Sequence, residues 1–102
     1  MTETRFEREC RTPYSEAYLI VAGEQRVGRV DLHFTPSIVY ATLCVGDNVT
    51  GDEIQELIDR VDEELVVSAD VARDDFIVTV YQGREAGVFS DEEFEEEEEE
   101  EE

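Results

Sequence analysis

The chain has 102 residues, 40% hydrophobic content and a net charge of −21, from 29 acids against eight bases. That suffices for one domain with a modest core, and it is too apolar for a wholly disordered protein. The charge argues against non-specific nucleic-acid binding and against docking on anionic membranes, and it favours basic partners through a steering that weakens with salt.

Residues 1–13 are polar, with Arg5, Arg8 and Arg11 at three-residue spacing around Phe6 and Cys10. This N-terminal segment reads as a frayed strand or a helical turn and is expected to be partly ordered at best. Its charges leave no apolar stretch of the kind a signal peptide needs, and no run in the chain approaches the roughly 18 apolar residues of a membrane span. Cys10 and Cys44 form no CxxC pattern. They are expected to be buried thiols of a reducing compartment, which makes a cytoplasmic location the default.

The run Ala17 to Ala22 is short and apolar and stops at Gly23, which predicts a strand. Gly23 to Arg26 supplies a hairpin turn. Residues 27–34 alternate, with Val30, Leu32 and Phe34 on one side and Arg29, Asp31 and His33 on the other, so a second strand is expected. Thr35-Pro36 turns the chain, and the β-branched and aromatic residues of 37–45 predict a third strand.

A helix follows. Thr50 and Glu53 have the spacing of a capping box, and Val49 and Ile54 that of a hydrophobic staple. Ile54, Leu57, Ile58, Val61 and Leu65 then line one face, which ends the helix near Leu65 or Val66, while Arg60 is expected to face water. Val66 to Asp74 reads as a connection, with a short extended piece at Val66-Val67. Residues 75–82 form a fourth strand with Phe76, Val78 and Val80 on one side, and Val88 and Phe89 are expected to tuck against the domain. Eleven of the residues 91–102 are acids, leaving 18 acids against eight bases, a net −10, in the other 90. This polyglutamate tail should self-repel and stay disordered. The expected organisation is therefore an N-terminal segment 1–13, a single α+β domain 14–90 and a tail 91–102.

The element order β-β-β-α-β predicts an α+β fold: a four-stranded mixed sheet with one helix packed on one face. A crossover through the helix most simply brings the last strand beside the first, in strand order 3-2-1-4. That order is found in the smaller RNase H-like half-folds. The stretch Cys44 to Leu65 (CVGDNVTGDEIQELIDRVDEEL) resembles the strand-to-helix segment of one such family, the HicB-type antitoxins, without that family's proline-glycine pattern ahead of the helix. RNase H-like nuclease chemistry needs a carboxylate in the first strand, and Ala17 to Ala22 has none.

If Ala22 pairs with Val27 and Phe34 with Ser37, then Leu19, Val21, Val30, Leu32, Val39, Ala41 and Leu43 face the helix. Tyr18, Ile20, Arg29, His33, Ile38 and Tyr40 are then left on an uncovered face, and such patches mark contacts. Homodimerisation through this face is the direct expectation; the alternative is that residues 1–13 or 66–72 fold over it. Asp31, His33 and Cys44 also share that face, and the mixture of carboxylate, imidazole and thiol raises a second function class, a small metal-dependent enzyme. There is one histidine, no paired cysteines and no phosphate-cradling glycine loop. The leading expectation is a non-enzymatic protein–protein interaction module that self-associates or engages a basic partner, with no cofactor, no nucleic acid and no membrane.

Overall fold

The polar N-terminal segment is a full strand. In the computed structural model, which describes residues 3–66 and 74–91, β1 (Thr4–Thr12), β2 (Ser15–Ala22), β3 (Gln25–Phe34) and β4 (Ile38–Val45) form an antiparallel meander. Helix α1 (Gly51–Val61) continues as a wider π-helical turn over Asp62–Val66 and leads to β5 (Asp75–Gln82), which runs parallel to β4. The result is an α+β fold with a five-stranded mixed sheet in the order β1-β2-β3-β4-β5.

The expected order 3-2-1-4 is corrected by β1. That order set the last strand against the first apolar strand, which is β2. The outer side of β2 is already paired with β1, so the crossover through α1 delivers β5 to the free edge of β4 instead. The topological likeness to RNase H-like half-folds falls with it.

Arginine 60 explains how so polar a strand is held. Its guanidinium stacks over the Phe6 ring at 5.0 Å from the centroid and hydrogen-bonds the Thr4 hydroxyl, while Nε donates to Glu64 at 2.8 Å. Thr4 is buried, and Phe6 packs against the core opposite Ile20. Arg60 therefore fastens the helix to the edge strand and does not simply face water.

The first hairpin is tighter than the sequence suggests, and it carries a bulge. Ala22 pairs with Gln25 across the two-residue turn Gly23-Glu24, where Gly23 takes φ +63° without the strain a side chain would bring. Val21 then faces Arg26, but Ile20 faces Gly28, which leaves Val27 as the extra residue. One residue of slip reverses the facing of a strand. Tyr18 and Ile20 consequently point to the helix side, with Ile20 fully buried, and the expectation that they lie on the open face is corrected. Burial first, and then a hydrogen bond to Glu16, holds the Tyr18 phenol above its usual pKa.

Between β3 and β4 the register differs from expectation by two residues: Phe34 faces Val39, Leu32 faces Ala41 and Val30 faces Leu43. A shift of two keeps every side chain on its face, so the predicted core holds on these strands. Gly28 faces Val45, and a Cβ built on it would lie 2.3 Å from the Cys44 carbonyl oxygen, so the two backbones approach too closely for any side chain there.

The capping box is present as read. The Glu53 amide donates to the Thr50 hydroxyl at 3.2 Å, and the Thr50 amide donates to the Glu53 carboxylate at 2.8 Å. That second bond holds the Glu53 carboxyl below the usual range. Leu57, Val61, Leu65 and Val66 are buried against the sheet, with Val49, Ile54 and Ile58 packed around them. Val66 closes the helix, so no extended piece begins there, and Val67 lies outside the described residues. The entry to the helix is fixed from the far end of the chain: the Gln82 amide nitrogen donates to the carbonyls of Gly46 at 3.0 Å and Val49 at 2.7 Å.

Candidate interaction surface

The helix covers one side of the sheet. Alternation along the strands and the observed registers place Leu19, Arg29, Asp31, His33, Ile38, Tyr40, Thr42 and Cys44 together on the other side. β5 adds Ile77 opposite Tyr40, Thr79 opposite Thr42 and Tyr81 opposite Cys44. Among the described residues no secondary-structure element lies over this face. Tyr40, Ile77 and Tyr81 are 41%, 39% and 60% exposed, which makes them its apolar contact points.

Of the six residues expected on the open face, Arg29, His33, Ile38 and Tyr40 are there, and Tyr18 and Ile20 are in the core. Ile77 and Tyr81 are the members the sequence reading left out. The signal for them was present: if Phe76, Val78 and Val80 face the helix, their odd-numbered neighbours face away. It gained meaning only once β5 was placed beside β4. Phe76 and Val78 pack on the core as expected, whereas Val80 is 36% exposed.

The N-terminal segment does not fold over the face, because it extends the sheet in plane as β1. The other segment expected to cover it, 66–72, lies beyond Val66 outside the described residues, as does the tail from residue 92. Val88 and Phe89 are 65% and 64% exposed, so they do not tuck in as expected. Residues 83–85 instead border a cleft of about 660 Å³ at one end of the face, lined also by Leu19, Arg29, Cys44 and Tyr81.

Three arginines on and beside this face are engaged by carboxylates. Arg29 contacts Asp31 at 2.9 Å and Glu9 at 3.3 Å, Arg5 contacts Glu7 at 2.9 Å, and Arg26 approaches Glu85 at 3.9 Å. The Asp31 hydrogen bond holds the Arg29 guanidinium still further above its ordinary pKa. An arginine held this way stiffens the surface and leaves little positive charge for a phosphate.

The residues considered for a metal do not converge. Cys44 sits opposite Arg29 and His33 opposite Tyr40. Four residues of strand separate the two positions, about 13 Å along the sheet, far beyond a shared ion. The Asp31 carboxylate is bonded to Arg29, and no group of three His, Cys, Asp or Glu among the described residues could hold a metal. Cys10 is exposed on β1 rather than buried as expected, and both cysteines are free. No helix among the described residues is long and apolar enough to cross a membrane. No family model, curated protein or solved structure matches the chain significantly.

Proposed function

We propose that this protein is a non-enzymatic protein–protein interaction module that engages a basic partner through the open face of its sheet. The observation that carries the reading is that Tyr40, Ile77 and Tyr81 lie on one face of the sheet and are exposed among the described residues. Exposed apolar and aromatic groups set among polar ones are a usual composition of a contact surface. The rim here contains Glu7, Glu9 and Asp31, and the whole chain carries −21, so a partner with basic groups around an apolar centre is the complementary one. The acidic tail extends the same charge and draws that partner in at long range.

A lysine-rich amphipathic peptide titrated into the chain tests this reading. Three proteins are compared: the full chain, the chain ended at residue 90, and Tyr40→Ser. Binding that survives loss of the tail, weakens with salt and falls in Tyr40→Ser supports a face that recognises basic partners. Binding that vanishes with the tail and ignores Tyr40→Ser refutes it, leaving only attraction between opposite polyelectrolytes.

A further inference from the structure

We propose that β5 is the docking edge for a second copy of this chain, the two β5 strands pairing antiparallel about a two-fold axis at Thr79. The inference uses the backbone edge of the sheet and stands apart from the reading of its open face.

Among the described residues the sheet has two edges, β1 and β5, and they are built differently. β1 carries Arg5, Glu7, Arg8, Glu9 and Arg11 in nine residues and is interrupted by a register shift between Arg8 and Cys10. Charges and bulges are the devices that keep an edge from accepting another strand. β5 has neither. Its register with β4 is unbroken from Asp75 to Gln82, its one charged residue is Asp75 at the start, and it contains no proline. The stretch from Phe76 to Tyr81 is aromatic or β-branched throughout, the composition that favours strand addition.

The occupant is a second copy because the strand is its own complement. With Thr79 opposite Thr79 of the other copy, Ile77 meets Tyr81 twice and Val78 meets Val80 twice. Asp75 meets Gly83, so no charge is set against a like charge. Ile77, Thr79 and Tyr81 share the open face, and Val78 and Val80 the helix face, so every pair joins side chains of the same side. Both helices then lie on one side of a continuous sheet, and the two patches of Tyr40, Ile77 and Tyr81 merge on the other. A slip of one residue sets Ile77 against Val80 and puts the helices on opposite sides, which breaks this matching.

Seven paired residues, 76–82, span about 24 Å, a contact at or below the usual 1,200–2,000 Å² of stable complexes, so the dimer should dissociate in the micromolar range. Salt screens the mutual repulsion of the copies and should tighten it, the reverse of its effect on a basic partner.

Sedimentation of the full chain from about 1 to about 500 μM, at low and high salt, tests the proposal. A monomer–dimer equilibrium that strengthens with salt is expected. Thr79 is exposed, so Thr79→Glu and Thr79→Lys should fold as the parent does, with unchanged circular dichroism. Each alone sets like charges together at the axis and should weaken the dimer by about two- to fivefold, and mixing the two should restore it as a heterodimer. A chain that stays monomeric throughout in both salts overturns the proposal. So does a dimer indifferent to Thr79→Glu, or a mixture that gains nothing over its components.

Discussion

Replacing Gly28 by alanine adds one methyl group at the closest approach of two strands. The new Cβ would stand 2.3 Å from the Cys44 carbonyl oxygen and 3.3 Å from the Val45 Cα. Carbon and oxygen in adjacent strands settle at about 3.3–3.6 Å, so β3 and β4 must part by roughly 1 Å. The obstacle is backbone and cannot swing aside like a side-chain tip. Overpacking of this kind costs about 1–3 kcal/mol, and an opened ladder bond adds about 1 kcal/mol. Removing a glycine from the unfolded chain returns about 0.4–1 kcal/mol. The net expectation is a loss of about 2 kcal/mol, which lowers the melting temperature of a domain this size by about 8–16 °C. Urea and thermal unfolding followed by circular dichroism measure it. Gly23→Ala is the comparison: φ is +63° there but nothing lies within 4 Å, so only a backbone strain of about 1–2 kcal/mol applies. If Gly28→Ala unfolds at the same urea concentration as the parent, the close approach that carries the register argument is not there.

Leu57→Ala empties a fully buried position under the sheet and should cost about 2–5 kcal/mol by the same unfolding measurement. Arg60→Ala removes the stack on Phe6 and the bond to Thr4, for about 1 kcal/mol; hydrogen exchange should show β1 losing protection before β2 to β4 do. Because the Glu53 carboxyl titrates lower folded than unfolded, its contribution is complete above the ordinary glutamate range and fades as pH falls through the lowered value. The stability gap between the parent and Glu53→Gln should therefore be widest at neutral pH and narrow in acid, and a gap that widens on acidification would contradict the capping box.

Local chemistry was legible wherever one residue's partner lay a few positions away. Thr50 and Glu53 announced the helix start, Leu57 and Val61 its buried side, and the alternation around Val30 and Leu32 the core side of β3. What escaped reading depended on distant contacts. β1 looks like a charged linker because the two residues it turns to the core side, Thr4 and Phe6, are held by Arg60, more than fifty positions away. The bulge at Val27 has no mark in the sequence beyond the neighbouring Gly28, yet it decides which way Tyr18 and Ile20 point. The same blindness hid Ile77 and Tyr81, whose facing was predictable but whose neighbours were not. Half of the candidate surface was thus readable strand by strand, and the other half waited on strand order.

The bond from Gln82 to the start of the helix sets a schedule for the chain as it is made. The carbonyls of Gly46 and Val49 are synthesised more than thirty residues before the side chain that ties them down. Until residue 82 leaves the ribosome, the helix can pack on the meander and tie to β1 through Arg60, but its entry turn lacks the Gln82 bonds and β4 keeps a bare edge. The meander β1 to β4 can assemble progressively during synthesis; the entry turn of the helix and β5 are tied together near its end. A nascent chain stalled before β5 would show a protected hairpin ladder and a helix whose first turn exchanges faster than in the released chain.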